Sequence, residues 1–275
     1  MTLPRSVPRP PVRAAVGTAD PSIARSSPAS TPVAPPVRAH SVPRVLARRG
    51  TIERNRMRQV VVVTGGSRGI GRAAALRFAA EGADIVLVAR DEVALASAAA
   101  DCRALGAEVL TLSIDLALPD GPERAVGAVV GRFGRIDVWV ASASVFSYGS
   151  VEDTPDAVRD RVIQTNLVGH MRAARAVIPH FRARGHGTIV FVGSLYSQVA
   201  GPYVSSYVAA KHGLLGFTRS LRQEMLAHRG IRITIVLPAS IDTPIYQRAA
   251  NYPGRTAFPL PPVVAADRVA RAIVQ

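Results

Sequence analysis

Tyr207 and Lys211 stand four residues apart, and Lys211 is the single lysine in a chain that carries 33 arginines. On a helix that spacing puts a phenol and an ammonium on one face. A free tyrosine ionises near ~10, too high for efficient proton transfer near neutrality, and a neighbouring ammonium favours the phenolate. The pair is therefore a candidate proton donor and acceptor. Arginine supplies basic charge everywhere else, so the lone lysine suits a place where a compact ammonium is needed and a planar guanidinium fork does not serve.

A second constellation is Thr64-Gly65-Gly66-Ser67-Arg68-Gly69-Ile70-Gly71. It follows an apolar β-branched run at 60–63 and opens a helical pattern at 70–80. Glycines at 65, 69 and 71 permit a tight turn and close backbone approach, and the helix N-terminus offers free N–H groups and partial positive charge to a pyrophosphate. Arg68 in the turn and Arg90 at the end of the second strand suit a ribose 2′-phosphate. No acid precedes Asp91 there to meet a 2′-hydroxyl, so NADP(H) is expected over NAD(H). Asp115 and Leu116, closing the third strand, are placed to meet the adenine ring.

The elements that must hold these groups alternate regularly. Strands are expected at 60–63, 85–88, 109–114, 136–140, 188–192 and 231–237. Helices are expected at 70–80, 92–105, 122–132, 156–181 and 205–228, with a last one starting in 265–275. Strands that are apolar throughout and alternate with helices mark a parallel sheet covered on both faces. The fold class is α/β, a Rossmann-type doubly wound parallel sheet in a single domain with strand order 3-2-1-4-5-6. Residues 240–262, with Pro244, Pro253, Pro259 and Pro261, read as a loop over the carboxyl ends of the strands. Phe146, Tyr148, Leu195, Tyr196, Tyr203, Ile245 and Tyr246 fall in segments expected to line a pocket, which points to an apolar substrate.

The net charge of +15 first suggests nucleic acid or a membrane surface. Its distribution argues otherwise. Residues 1–56 hold ten arginines against Asp20 and Glu53, together with ten of the 21 prolines. That composition reads as a disordered extension, with the folded domain at 57–275. No apolar run within 1–56 resembles a secretory signal core. The arginine and serine content resembles a transit peptide, but the prolines oppose an amphipathic helix, and an extension upstream of a start near Met57 is preferred. Aromatic residues do not interleave with the arginines, so no nucleic-acid partner is expected. No apolar run reaches the ~18–20 residues of a membrane span, so no membrane is expected. The lone Cys102 excludes an internal disulfide and suits a cytoplasmic location. Cys102 reads as a packing residue, and His170, His180 and His212 as packing or surface groups, with no metal expected.

Taken together, these residues resemble the short-chain dehydrogenase/reductase family over about residues 59–275. The resemblance rests on the TGxxxGxG turn at 64–71, Asn166 in a middle helix, Ser194 thirteen residues before Tyr207, and Tyr207-x-x-x-Lys211. It implies carbonyl–alcohol interconversion on a small-molecule substrate, with hydride exchanged at the nicotinamide. Tyr207 would move the proton, its pKa lowered by Lys211 and the oxidised cofactor. Ser194 would orient the substrate oxygen, and Asn166 would anchor a water in a proton relay. The 238–243 segment resembles a PGxxxT turn, which brings Pro238 to the cofactor and Thr243 to the nicotinamide carboxamide. Residues 141–144 replace the family's Asn-Asn-Ala-Gly with Ala141-Ser142-Ala143-Ser144, where Ala143 faces the cofactor, Ser142 keeps some bonding and Ser144 narrows the space. Members pair through the helices at 156–181 and 205–228, so a homodimer or homotetramer is expected. Members also continue past the point where this chain stops, so the domain reads as truncated at its C-terminus. The alternative is a sensor-like member that holds dinucleotide without turnover. The altered 141–144 motif and the early stop fit it; the intact tetrad opposes it.

Overall fold

β1 (Val60–Thr64) is buried along its whole length. Five consecutive residues without a polar face fit only the interior of a sheet covered on both sides. In the computed structural model, which describes residues 58–254 and 257–275, β1 lies between two parallel neighbours. The expected disorder of 1–56 falls outside the described residues.

The chain then alternates through α1 (Gly69–Ala80), β2 (Asp84–Ala89), α2 (Glu92–Ala104), β3 (Val109–Ser113), α3 (Gly121–Phe133) and β4 (Val138–Ala141). After α4 (Asp156–Ile163) and α5 (Gly169–Arg184) come β5 (Gly187–Val192), α6 (Ser205–Glu224), β6 (Ile231–Val236) and α7 (Ala266–Val274). The six strands are parallel in the order β3-β2-β1-β4-β5-β6, the order read from the sequence. Successive β1 side chains face opposite ways. Val60 and Val62 join Trp139, Phe181, Phe191 and Leu214 in one core layer, while Val61 and Val63 join Phe78, Leu87, Val140 and Ile273 in the other. Cys102 is buried in the second layer as a free thiol, and burial pushes its pKa up to about 11.

Asp137 ties the amino ends of the sheet together. Its carboxylate accepts from the Val60 amide at 2.8 Å, from Arg135 twice at 2.8 Å and from Arg184 at 3.1 Å. Burial alone would raise this carboxyl's pKa, but the arginines and the amide outweigh it and hold it below the usual range.

Three sequence expectations need correction. The helical stretch at 156–181 is interrupted: Gln164–Val168 is a π-helical turn between α4 and α5. Apolar periodicity does not register one extra residue in a turn, and such turns recur at functional sites. The helix from Ser205 ends at Glu224 rather than at His228. Finally, 240–262 is more ordered than a loop. Ser240–Asp242 pairs in parallel with Val263–Ala265, and Ala250–Asn251 pairs with Ser147–Tyr148. Strands of two or three residues leave no periodic trace.

Candidate active site

The chain leaves β1 toward β2 on one side and β4 toward β5 on the other, so a crevice opens at the carboxyl ends where the winding reverses. A cavity of about 590 Å³ lies there, within the size range of ligand sites. Gly65, Ser67, Arg68, Gly69, Ile70, Arg90, Asp115, Leu116, Ala143, Pro238 and Thr243 line it, as do Ser194, Tyr207 and Lys211. Thr64, Gly71 and Asn166 support the wall from behind. The Thr64 hydroxyl accepts from the amides of Ser142 at 3.1 Å and Ala143 at 3.3 Å.

Glycine is required in the turn by contact as well as by conformation. Gly65 has φ +65°, and a Cβ on it would come within 2.8 Å of the Ala143 backbone. A Cβ on Gly71 would sit 2.3 Å from the Gly65 carbonyl oxygen. A Cβ on Gly69 would meet Thr243 at 3.1 Å, so Thr243 lies directly over the turn. No side chain caps the N-terminus of α1, which leaves its first N–H groups open to an anion.

At the ends of β2 and β3 the cavity wall is charged. Arg68 donates to Asp91 at 2.7 Å, and the other Asp91 oxygen accepts from the Ala94 amide at 2.9 Å to cap α2. Asp91 is thus engaged on both oxygens, while Arg90 is exposed. Arg248, from the segment above the strand ends, stands 4.0 Å from Asp91. The Asp115 carboxylate accepts from Arg161 at 2.6 Å and from the Ala117 amide at 3.0 Å. Sequence reasoning missed Arg161 and Arg248, because neither belongs to a motif and only tertiary folding brings them here.

At the other end Tyr207 is buried and lines the cavity together with Ser194 and Ser144. Phe146 meets its ring edge-on at 4.9 Å and Tyr196 at 6.3 Å. The Lys211 ammonium lies 5.4 Å from the Tyr207 ring centroid and donates to the Val192 carbonyl at 2.9 Å. The Asn166 side chain clamps Val145, accepting from its amide at 2.9 Å and donating to its carbonyl at 2.8 Å. Both ends of that amide are therefore occupied, and Asn166 holds the wall rather than facing the cavity. Ser144, expected only to narrow the space, donates to Asn166 Oδ1 at 3.2 Å.

The expected lowering of the phenol's pKa is not met by the chain alone. Burial pushes Tyr207 up to about 12, with the neighbouring hydroxyls of Ser194 and Ser144 pulling the other way. Burial likewise pushes Lys211 down to about 7. His170, which read as a packing or surface residue, is buried and lines the same cavity. Its Nε2 is buried without a partner, as is the Thr165 hydroxyl. Burial pushes the imidazole down to about 3, so it is neutral beside Lys211. The glycine cradle, the open helix terminus and these two unpaired polar atoms suit a large polar ligand such as a dinucleotide. Of the expected substrate-pocket residues, Phe146, Ile245 and Tyr246 line the cavity, whereas Leu195 and Tyr203 are exposed. No helix among the described residues is long and apolar enough to cross a membrane.

Comparison with known proteins gives a consistent result. Residues 59–252 match the family model described as short chain dehydrogenase. The uncharacterized oxidoreductase YxnA of Bacillus subtilis is 33% identical over 196 residues, covering 70% of this chain and 55% of that protein, so the chain spans little more than half its length. The (-)-trans-carveol dehydrogenase of Rhodococcus erythropolis is 33% identical over 211 residues, covering 70% of this chain and 75% of the relative. Among solved structures, levodione reductase superposes with a TM-score of 0.69 at 29% identity, covering 78% of this chain and 89% of that one.

Proposed function

The chain belongs to the short-chain dehydrogenase/reductase family, oxidoreductases that act on CH–OH groups with NAD(P), and from that premise we propose that it interconverts a ketone and an alcohol on a small uncharged substrate with NADP(H). The observation that carries this reading is the convergence of Ser194, Tyr207 and Lys211 on one cavity with the glycine turn.

The cofactor, when bound, supplies or accepts the hydride. Gly65 to Gly71 and the open end of α1 would hold its pyrophosphate, and Tyr207 would give its proton to the carbonyl oxygen while Ser194 orients that oxygen. Lys211, buried and fixed on Val192, would favour the phenolate left behind, and Asn166 would keep the wall in register. NADP(H) is favoured over NAD(H) because Asp91 is already engaged by Arg68 and the α2 cap, while Arg68, Arg90 and Arg248 bring excess positive charge to the same place.

The substrate class follows from where charge is absent. Apart from Lys211, the charged side chains lining the cavity are Arg68, Arg90, Arg248 and Asp91, with Arg161 and Asp115, all grouped about the ends of β2 and β3. Near Tyr207 the uncharged lining includes Val145, Phe146 and Tyr246, together with the hydroxyls of Ser144 and Ser194. A carboxylate or phosphate on the substrate would be desolvated there without a partner. The proposal extends to a cytoplasmic homodimer or homotetramer paired through α4–α5 and α6.

The test is a panel of neutral cyclic ketones, keto acids and acyl thioester ketones, each with NADPH and NADH. We expect turnover of neutral ketones with a preference for NADPH, narrowed roughly tenfold in Arg90→Ala. Turnover confined to keto acids, or an NADH preference, would overturn the corresponding part.

A further inference from the structure

One short turn touches both ends of the cavity. Between the strands Ser240–Asp242 and Ala250–Asn251, residues 243–249 place Thr243, Pro244, Ile245, Tyr246 and Arg248 on the cavity wall. The turn is tied internally, the Arg248 amide donating to the Pro244 carbonyl at 3.1 Å and the Ala249 amide to the Tyr246 carbonyl at 3.3 Å. Beyond it the Ala250 amide donates to the Phe146 carbonyl at 3.1 Å and the Tyr252 amide to the Tyr148 carbonyl at 2.9 Å. Tyr246 and Arg248, two residues apart within those bonds, cannot shift independently.

The two side chains face different chemistry. The Tyr246 ring meets Phe146 edge-on at 5.8 Å, and Phe146 meets Tyr207 at 4.9 Å, so Tyr246 belongs to the reacting end. Arg248 belongs to the other. Its guanidinium is 4.0 Å from Asp91 Oδ2, beyond hydrogen-bond reach, and Arg68 already holds that oxygen at 2.7 Å. The second Asp91 oxygen is taken by the Ala94 amide at 2.9 Å. Arg248 is exposed and has charge to spare, and with Arg68 and Arg90 it makes three arginines around one engaged carboxylate. A dianionic phosphate suits that excess and accepts a guanidinium fork on two oxygens.

We propose that Arg248 is a positioning residue that couples the cofactor's 2′-phosphate to the substrate pocket. Drawn onto the phosphate, it seats the 243–249 turn and with it Tyr246 against Phe146. The ketone then binds more tightly beside NADPH than beside NADH. The coupling is reciprocal, so a bound ketone strengthens NADPH by the same factor. Arg68 and Arg90 lie outside the turn and add affinity for the phosphate without moving Tyr246. The proposal rests on the NADP(H) reading above.

The experiment uses the full chain and two probes, adenosine 2′,5′-bisphosphate and adenosine 5′-monophosphate. Neither carries a nicotinamide, so neither reaches the Tyr207 end directly. The readout is the ring resonance of ¹³Cζ-labelled tyrosine, with Tyr246 assigned by its absence in Tyr246→Phe. We expect the bisphosphate to bind roughly tenfold tighter than the monophosphate and to move the Tyr246 resonance, while the monophosphate leaves it in place. Arg248→Ala should lose that movement even at saturation, and Arg248→Lys, which keeps the charge, should recover part of it. Arg90→Ala should weaken the bisphosphate yet keep the movement at saturation. In kinetics the ketone KM should be about fivefold lower with NADPH than with NADH, and equal with both in Arg248→Ala. A Tyr246 resonance unmoved at saturation, or moved as far in Arg248→Ala, would overturn the coupling. Equal binding of the two probes would instead overturn the NADP(H) reading and the coupling with it. Should the wild type reduce no ketone, the proposed function falls while the resonance still decides whether Arg248 links the phosphate to Tyr246.

Discussion

At the scale of single residues, the site depends on groups whose surroundings oppose their chemistry. In the proposed reaction Tyr207 loses a proton in a buried pocket, and Lys211 keeps one there. Lys211 is 1% exposed with its ammonium on the Val192 carbonyl, so there is no room for a longer planar group. Lys211→Arg keeps the charge but not the shape. It should lower kcat roughly a hundredfold while the far-ultraviolet circular dichroism stays native, read by steady-state kinetics and spectra of the same preparation. Near-wild-type kcat would show that charge alone is enough. The placement of this pair on one helix at the cavity was legible because one lysine in a chain of arginines stands out. The positions of Ser144, His170, Arg161 and Arg248 on the cavity wall were not, since serines, histidines and arginines acquire meaning only from what the fold sets beside them.

At the scale of elements, hydrophobic pattern carried most of the information. Strands buried on both faces, such as β1 with its four consecutive valines, have no alternating polar face to confuse the reading, and glycine turns mark where they end. The sequence pattern failed where backbone geometry departs from a regular period: the π-helical turn at Gln164–Val168 and the short strands of 240–265. That π turn carries Asn166, so the irregularity lies next to the residue that clamps Val145. The buried cluster at the other end of the sheet gives a stability prediction. Asp137→Asn removes the charge that binds Arg135 and Arg184 and should cost about 2 kcal/mol, measured by denaturant unfolding. The sign with pH is fixed by the depressed carboxyl. Its stabilisation is present above the unfolded value of ~3.9 and disappears as pH falls through the folded one. The variant should therefore lose less stability than wild type between neutral pH and that acid range. An equal acid sensitivity would contradict the assignment.

At the scale of the whole molecule, charge and polarity divide one cavity. Arginines and two engaged carboxylates occupy the side at β2 and β3, and aromatic and aliphatic groups occupy the side at Tyr207. The division could not be read from the sequence, where Asp91, Arg161 and Arg248 are scattered, nor could the net charge of +15 say where basic residues meet. The strand order could be read, because alternating β and α segments with right-handed crossovers leave few arrangements of a doubly wound sheet. The central claim is that Tyr207 transfers the proton in a carbonyl–alcohol interconversion. The most direct measurement is turnover of a neutral ketone with NADPH by wild type and Tyr207→Phe, with NADPH binding followed by fluorescence in both. The account predicts at least a hundredfold loss of kcat with binding retained; a variant that binds NADPH and still turns over near the wild-type rate would contradict it.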